Sequence, residues 1–345
     1  MVTDIRGMSL SELTEYMESL GEKKFRASQV YRWLHINLVK DYEEMGNIPA
    51  SIRSRLAIEA PLYSLEQEEL QISEIDGTRK YLFKLQDGNM IEAVLMRYKH
   101  GNSVCISSQV GCRMGCVFCA STIGGLVRSL TVGEMLDQIY TIQRETGERV
   151  SNVVIMGTGE PLDNFDNLIK FIGLITDENG LNISQRNITV STSGIIPKIN
   201  ELADKKLAIT LALSLHATTQ EKRKELMPVA NAYDIEETVM AMRHYAKATG
   251  RRVTFEYSLI HGENDSAEDA EGLYRLLRNM NCLINLIPVN PVRERSFIRP
   301  DKKDVYAFQK KLEDHGLNAT IRRELGSDID GACGQLRMKK SSNLL

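Results

Sequence analysis

The feature that most constrains the fold of this chain is a regular alternation of apolar β-type runs and amphipathic helical stretches after Gly101. Six runs are each followed by a helical stretch and a seventh closes the series: SVCISS, NVVIM, NITVSTS, AITLALSL, RVTFEYSLI, CLINLIP and NATIRR. Such alternation predicts right-handed βα units around a parallel sheet. Because six units are fewer than the eight of a closed barrel, we expect an α/β fold with a partial (β/α)6 barrel and an active site at the carboxyl ends of its strands.

The residues before Gly101 divide into two further predicted regions. Residues 1–65 carry apolar residues at helical spacing, which predicts a small helical accessory domain. Residues 66–100 contain β-rich runs separated by two Asp-Gly turn pairs, a pattern typical of a β-meander that links or extends a domain. Residues 101–345 are then the catalytic core.

Charge and hydropathy exclude some classes of protein. The net charge is −3 and the pI about 6.1, so the chain is not a polycation that would coat nucleic acid, and any RNA contact must come from local patches. One candidate patch lies between residues 21 and 58 and includes Lys23, Lys24 and Arg26, although charge alone favours a solvated helical face there. The sequence has no run of eighteen apolar residues and no secretory leader pattern, which predicts a cytoplasmic protein without a membrane partner.

Three of the six cysteines lie in the loop after the first predicted barrel strand, GCRMGCVFCA. Cys112, Cys116 and Cys119 have the spacing CxxxCxxC, and three thiolates so placed can hold a cubane iron–sulfur cluster with one iron left open. An open iron can bind S-adenosylmethionine (SAM), so that an electron from the cluster cleaves its sulfonium bond and releases a 5′-deoxyadenosyl radical. The alternative is that the three cysteines are buried structural residues or zinc ligands.

The loop and its position resemble the radical SAM superfamily, and longer segments resemble one branch of it, the RlmN/Cfr family of RNA adenine methyltransferases. The matching segments, in family order, are CISSQVGCRMGCVFC, MGTGEPLDN, STSGIIP, LSLHA, LIPVNP and DIDGACGQL. The match extends to KKFRASQVYRWLH and YLFKLQDGNMIEAV, so it covers nearly the whole chain. GEPL and LIPVNP are more similar to the RlmN side, which methylates adenine carbon 2, than to the Cfr side, which methylates carbon 8.

The resemblance implies a transferase that methylates carbon 2 of a specific adenosine in 23S ribosomal RNA, with transfer RNA as a further expected substrate. The implied route passes through a methyl-cysteine intermediate and a transient covalent enzyme–RNA adduct. Carbon 2 is electron-poor and has no lone pair, so polar displacement on a SAM methyl group cannot methylate it. The implied cofactors are a [4Fe–4S] cluster and two SAM molecules per turnover. The implied partners are the RNA and an electron donor such as flavodoxin or ferredoxin, and the protein is expected to be a monomer.

The resemblance also implies three catalytic residues. By its position in DIDGACGQL, Cys333 carries the methyl group. Cys105 matches the resolving thiol, which attacks Cys333 and forms a disulfide as the product leaves. Glu92 matches the general base that removes the ring proton. The family usually has alanine at the position of Gly331, a difference we expect to alter loop flexibility only.

Further residues match positions that bind SAM in the family. Gly159 and Glu160 of GTGEPL resemble the motif that meets its amino group, although GTG alone is a weak signal without the family match. The positions that match contacts with its ribose, carboxylate or adenine are Ser191, Ser214, Leu215, His216 and Asn290. Cys282, at the start of an apolar run, is predicted to pack in the core.

Three alternative functions stay open on the sequence. The first is Cfr-like methylation of carbon 8. The second is another radical SAM enzyme, such as a glycyl-radical activase, which would use the cluster and SAM but would not need Cys105 or Cys333. The third is a non-enzymatic iron–sulfur or zinc-binding RNA module, in which the cysteines only stabilise the fold.

Overall fold

The computed structural model describes residues 3–289 and 297–329 together with residue 336. The amino-terminal region is helical, as its apolar spacing predicts. Its three α-helices are α1 (Leu10–Ser19), α2 (Lys24–His35) and α3 (Ala50–Glu59). α1 begins at a capping box, in which the Ser9 hydroxyl accepts a hydrogen bond from the Glu12 backbone N–H and the Glu12 carboxylate accepts one from the Ser9 N–H.

These helices share their hydrophobic core with the rest of the chain. Their buried side chains belong to the same apolar cluster as those of the barrel. Buried polar contacts reinforce the junction: Arg6 forms an ion pair with Asp137 (3.1 Å), and His35 Nδ1 lies 2.7 Å from the Tyr140 hydroxyl. A helical region of this size buries little apolar surface alone, so packing on the core supplies much of its stability.

The predicted meander consists of three antiparallel strands, β1 (Glu66–Ile72), β2 (Arg79–Lys84) and β3 (Met90–Tyr98). The turn glycines Gly77 and Gly88 have φ angles of +72° and +81°, which explains the Asp-Gly pairs. β3 then pairs antiparallel with the first barrel strand, so the meander extends the core sheet.

The core has the partial βα barrel that the alternation predicts. Its parallel strands are β4 (Gly101–Cys105), β7 (Val150–Ile155), β8 (Ile188–Thr192), β9 (Thr210–Ser214), β10 (Val253–Leu259), β11 (Cys282–Pro288) and β12 (Ala319–Ile321). The helices between them are α4 (Val132–Thr146), α5 (Phe165–Thr176), α6 (Ile196–Asp204), α7 (Gln220–Leu226), α8 (Ile235–Thr249), α9 (Ala267–Leu277) and α10 (Lys302–Asp314). The large sheet has the order β1-β2-β3-β4-β7-β8-β9-β10-β11-β12. Within the described ranges, no helix has the length and apolar character needed to cross a bilayer.

A short hairpin that the sequence did not predict flanks the cysteine loop. It pairs β5 (Gln109–Gly111) with β6 (Leu126–Ser129). Gly111 has a φ of +75°, and a Cβ there would overlap the Gly125 carbonyl oxygen, so only glycine allows the two arms to approach. The hairpin closes the loop at both ends, and α4 then begins at a capping box formed by Thr131 and Glu134.

Candidate active site

A cavity of about 570 Å³ lies at the carboxyl ends of the parallel strands, where a βα barrel is expected to have its active site. Its wall is formed by the cysteine loop, by residues at the strand ends and by the segment after β12. The predicted site residues that line it are Cys105, Cys112, Cys116, Cys119, Gly159, Glu160, Ser191, Ser214 and His216. The structure therefore brings together residues that are far apart in the sequence.

The three loop cysteines lie on one side of this cavity. Cys112 and Cys116 are buried and Cys119 is half-buried. Backbone hydrogen bonds fix the loop: the Cys112 N–H donates to the Gly125 carbonyl (3.0 Å), and the Cys119 N–H donates to that of Cys116 (3.1 Å). Burial raises the pKa of the Cys112 thiol to about 12 and raises the pKa of Cys116 as well, and the charges of the neighbouring cysteines add to both effects. The thiols are thus close enough to influence one another electrostatically.

This donor set fits a [4Fe–4S] cluster. Three sulfur donors face a cavity with apolar side chains around them, including Phe118 and Met227, and a thiol that binds iron loses its proton despite a high pKa. Among the described residues, no three His, Cys, Asp or Glu side chains converge as ligands of a single metal ion would. A cubane binds its three thiolates through three different irons, so its ligands need no such convergence.

Glu160 lies in the wall beside the cysteine loop. The preceding Gly159 has a φ of +115°, and a Cβ there would lie 2.7 Å from the side chain of Gln109. Only glycine fits this position without strain. The buried Glu160 carboxylate accepts hydrogen bonds from the backbone N–H of Ser193 (2.7 Å) and of Leu162 (3.0 Å). Burial raises the pKa of Glu160, and these hydrogen bonds oppose the effect. The carboxylate is therefore held rigidly at the wall of the cavity, where it can accept from an ammonium group.

His216 follows β9 and is fixed in a neutral form. Its backbone has a φ of +55°, and its Nδ1 accepts a hydrogen bond from the Ser258 backbone N–H (2.9 Å). Burial lowers the pKa of His216 to about 3, and the charge of Arg223 contributes, so the ring is neutral with its proton on Nε2. The edge of the Phe118 ring also packs against it, with ring centroids 4.8 Å apart.

Not every residue that matches a SAM-binding position has its side chain in the cavity. Ser191 and Ser214 lie half-buried at the ends of β8 and β9 and line it. Leu215 is fully buried in the hydrophobic core, and its backbone N–H donates to the Glu256 carbonyl (3.0 Å). Cys282 is buried in the same core, as predicted.

Cys105 is the last residue of β4. It packs against Val94 and Met96 of β3, and all three line the cavity. Its Cα pairs with that of Val94 across the sheet. The Cys105 thiol therefore lies at the cavity, at the end of the strand that leads into the cysteine loop.

Glu92 lies two residues before Val94 on β3, and therefore on the same face of the sheet. It is buried and is not among the residues that line the cavity. Its carboxylate forms an ion pair with Lys80 Nζ at 3.0 Å, and the two side chains are 4% and 0% exposed. The structure thus buries Glu92 beside a cation, on the same strand as the cavity-lining Val94, but does not bring its carboxylate to the cavity.

Two predicted residues, Asn290 and Cys333, lie outside the described residues. The described chain stops before each of them at a residue that lines the cavity, Val289 in the first case and Ile329 in the second.

Sequence reasoning missed three buried charged residues near the site: Lys80, Arg223 and Glu256. Glu256 lines the cavity and accepts a hydrogen bond from the Asn285 amide (2.8 Å), and burial raises its pKa. A charge inside the apolar run RVTFEYSLI was the available signal, because charged residues are seldom buried in a strand without a task. Arg223 gave no such signal, since it belongs to a helix rich in charged residues.

The basic residues of the accessory region form a surface of mixed charge. Exposed Phe25 has the Arg26 guanidinium over its ring, 4.8 Å from the centroid. Several other cations are paired with carboxylates: Lys24 with Glu18, Arg53 with Glu43, and Arg55 with Glu59. Exposed pairs of this kind exchange partners at little cost, so an RNA phosphate could replace the carboxylate.

A loop of three thiols at the open end of a partial βα barrel, beside a fixed carboxylate, defines the class as radical SAM enzymes. Comparison with known families agrees: the model of the Radical SAM superfamily matches residues 106–277, and that of the ribosomal RNA large subunit methyltransferase N-terminal domain matches residues 3–62. The chain belongs to the RlmN family of radical SAM RNA methyltransferases.

Similar proteins cover nearly the whole chain. A probable dual-specificity RNA methyltransferase RlmN of Lachnospira eligens is 61% identical over 338 residues, which are 98% of this chain and 97% of that protein. A protein of the same name from Lachnoclostridium phytofermentans is 57% identical over 97% of this chain and 94% of its own length. The crystal structure of a radical SAM methyltransferase from Sphaerobacter thermophilus superposes with a TM-score of 0.92 at 42% identity, covering 96% of this chain and 98% of that one. The predicted family and fold are confirmed, and the superfamily implies SAM and a [4Fe–4S] cluster as cofactors.

Proposed function

We propose that this protein methylates carbon 2 of a specific adenosine in 23S ribosomal RNA and in transfer RNA, through a methyl group carried on Cys333. The observation that carries the proposal is that Cys105 lines the same cavity as the three cysteines of the loop. A radical SAM enzyme that does not form a cysteine-linked adduct needs no thiol in the cavity besides the three that bind the cluster. The name of the similar proteins, dual-specificity RNA methyltransferase, supports two kinds of RNA substrate.

Cys112, Cys116 and Cys119 are the proposed ligands of the cluster, and Glu160 the proposed acceptor for the SAM amino group. When bound, the cluster and SAM supply the 5′-deoxyadenosyl radical that activates the methyl group. The remaining residues that match SAM-binding positions, including Ser191, Ser214 and neutral His216, would orient the cofactor from the strand ends. His216 Nε2–H would act as a donor, because its Nδ1 is already an acceptor.

Cys333 and Cys105 have opposite tasks in the proposed cycle. Cys333 accepts a methyl group from one SAM. The radical that a second SAM would supply removes a hydrogen atom from that methyl group, and the methylene carbon bonds to adenine carbon 2; the adduct then gives up one electron, which the cluster would take back, and the carbon 2 proton. The Cys105 thiolate attacks the Cys333 sulfur, so that a disulfide forms and the electron pair of the broken carbon–sulfur bond remains on the methylene carbon, which takes up a proton and becomes the methyl group of the product. Cys105 has a favourable starting point, since it lines the cavity at the end of β4.

Glu92 is the proposed base for the proton on carbon 2. The Glu92 carboxylate lies 3.0 Å from the buried Lys80 Nζ, which fixes its position beside the strands that carry Cys105 and Val94. Since Glu92 does not line the cavity, the proposal requires the carboxylate and the adenine to approach each other when RNA binds.

The proposal also includes a one-electron donor of the flavodoxin or ferredoxin type, because the cluster must be reduced before it can cleave SAM. We propose a monomer, since a single chain supplies every cysteine that the cycle requires.

Glu92→Gln should stop the cycle after the carbon–carbon bond has formed, because the amide cannot remove the ring proton. Covalent protein–RNA adduct should accumulate and methylated product should fall by at least about 100-fold, the lower end of the usual contribution of a general base. The measurement is a denaturing gel with and without nuclease, followed by quantification of methyladenosine.

The matched control is Glu66→Gln, which alters another meander glutamate with a lysine partner, Lys84, at 3.5 Å on the exposed surface. It should leave turnover unchanged. Because Glu92→Gln removes the carboxylate that pairs with the buried Lys80, the double variant Lys80→Met with Glu92→Gln separates lost folding from lost chemistry. The double variant should have the same unfolding temperature as the wild type and should still accumulate adduct. Normal turnover by Glu92→Gln would place the base elsewhere.

A further inference from the structure

Arg223 of α7 is a fully buried cation with few partners. Its side chain has no solvent exposure, and its Nη2 donates to the Ser193 carbonyl at 2.7 Å and lies 3.4 Å from that of Ser214. Nε and Nη1 have no hydrogen-bond partner within the part of the chain that the structure describes, and no carboxylate there forms an ion pair with Arg223. A buried charge without a counter-charge is strongly destabilising, so this position calls for a compensating anion.

The contacts of α7 indicate that the compensating anion lies at the cysteine loop. α7 is tied to the loop by a hydrogen bond from the Val117 N–H to the Leu226 carbonyl (3.0 Å), and Met227 packs in one apolar group with Cys116. Leu226, the last residue of α7, belongs to the same apolar group as Cys116. Burial lowers the pKa of Arg223 to about 10, so the guanidinium is still a cation at neutral pH.

The charged groups nearest to Arg223 do not neutralise it. The Ser193 N–H donates to Glu160, whereas the Ser193 carbonyl accepts from Arg223, so the main chain at residue 193 separates the carboxylate from the guanidinium. Burial lowers the pKa of Arg223 and outweighs the opposing charge of Asp234, whose carboxylate accepts from the Glu236 backbone N–H (2.8 Å) as the cap of α8. The positive charge therefore remains available to the cysteine loop.

We propose that Arg223 is the counter-cation of the iron–sulfur cluster and favours its reduction. The proposal rests on the cluster ligands proposed above. Three thiolates give the cluster a net negative charge, and the electron from the one-electron donor makes that charge more negative, while no bond forms or breaks and Arg223 keeps its protons. A fixed cation in a dry environment stabilises the reduced state more than the oxidised one. Arg223 thus acts on the cluster through its charge, and its side chain is not among the residues that line the cavity.

The test is the midpoint potential of the cluster, measured by a redox titration of the anaerobically purified full-length protein followed by electron paramagnetic resonance. Arg223→Gln removes the charge but keeps a donor for the Ser193 carbonyl. At a fixed solution potential its ratio of reduced to oxidised cluster should fall about tenfold, which corresponds to about 59 mV toward more negative potential for a one-electron couple. Arg223→Lys keeps the charge and should stay near the wild-type potential.

Lys224→Gln is the matched control, since it removes the same charge from an exposed neighbour on α7, where water screens it. It should not move the potential. If Arg223→Gln does not fold, Arg223→Met is a second charge-free variant, because apolar residues often replace buried charges without loss of stability.

A wild-type potential in a folded charge-free variant would overturn the role of Arg223, and so would an equal shift in Arg223→Lys, because the effect would then follow the hydrogen bonds. The iron content and spectrum of the wild type test the cluster itself. A wild type without a cluster would contradict the proposed function, whereas a wild type with a cluster and an unshifted Arg223→Gln would contradict only this inference.

Discussion

Replacement of any one of Cys112, Cys116 and Cys119 by alanine is expected to abolish both cluster incorporation and SAM cleavage. Iron should fall from about four atoms per chain to near zero, because two thiolates cannot hold a cubane that has only three protein ligands. Release of 5′-deoxyadenosine under reducing conditions should fall below detection. Among the described cysteines, only Cys105 lines the cavity besides these three, and it lies outside the loop, so no other described cysteine of the loop can replace a lost ligand.

Cys282→Ala is the matched control, because it removes a buried cysteine that belongs to the hydrophobic core and not to the cavity. It should keep full iron content and SAM cleavage, with a modest loss of thermal stability from the space left behind. Colorimetric iron analysis and chromatography of 5′-deoxyadenosine measure both quantities. Full iron and turnover in any one of the three loop variants would disprove the assignment of the ligands.

Cys105→Ala is expected to trap the enzyme on its RNA. The methyl group is loaded on Cys333 and the carbon–carbon bond forms, but no thiol remains to attack the Cys333 sulfur. Turnover should stop after a single event, and nuclease-sensitive, slowly migrating protein should appear on a denaturing gel. The position of Cys105 at the cavity makes this a local change, since its side chain belongs to a small apolar group with Val94 and Met96 that is separate from the main hydrophobic core.

Cys333→Ala should give the opposite result. Without a methyl acceptor it forms no enzyme–RNA link, and the double variant Cys105→Ala with Cys333→Ala should also lack the trapped species. Cys282→Ala again serves as the control and should behave as the wild type. Mass spectrometry identifies the nucleotide that is attached in Cys105→Ala, and normal product formation by either single variant would refute the assigned tasks.

The sequence predicted the barrel because six of its seven parallel strands are apolar runs of five to seven residues that alternate with amphipathic helices. Each run had enough residues to show its type, and the order of parallel strands then follows from the βα connections. The hairpin of β5 and β6 was missed because its strands of three and four residues are too short to show a period and, unlike the short β12, are not placed by the βα alternation. Gly111 at the end of β5 and the pair Gly124-Gly125 before β6, all with positive φ, mark its position.

The candidate site could be predicted where chemistry depends on residue spacing. CxxxCxxC after the first barrel strand indicated a cluster loop, and the loop lies at the cavity. The tasks of Glu92 and Cys105 came from the family resemblance, since a strand residue and a single cysteine carry no signal of their own. Burial of charge could not be predicted at all for Arg223 and Lys80, because it depends on how distant elements pack.

The ion pair of Lys80 with Glu92 illustrates this limit. In the sequence, RKYLFKL places Lys80 at the edge of a β-type run, where a solvated lysine is the usual expectation. In the structure, β2 and β3 are inner strands of a ten-stranded sheet, so Lys80 is buried against Glu92. A charge can remain there only with a partner, which explains the pairing.

The proposal that this enzyme methylates adenine carbon 2 is tested most directly by the position of the new methyl group. Purified enzyme should be incubated anaerobically with a one-electron reductant, SAM labelled in its methyl group, and 23S ribosomal RNA that lacks the modification. Digestion to nucleosides and mass spectrometry against synthetic standards then identifies the product. The predicted result is labelled 2-methyladenosine, formed together with 5′-deoxyadenosine, whereas labelled 8-methyladenosine, or SAM cleavage without any methyladenosine, would contradict the proposed function.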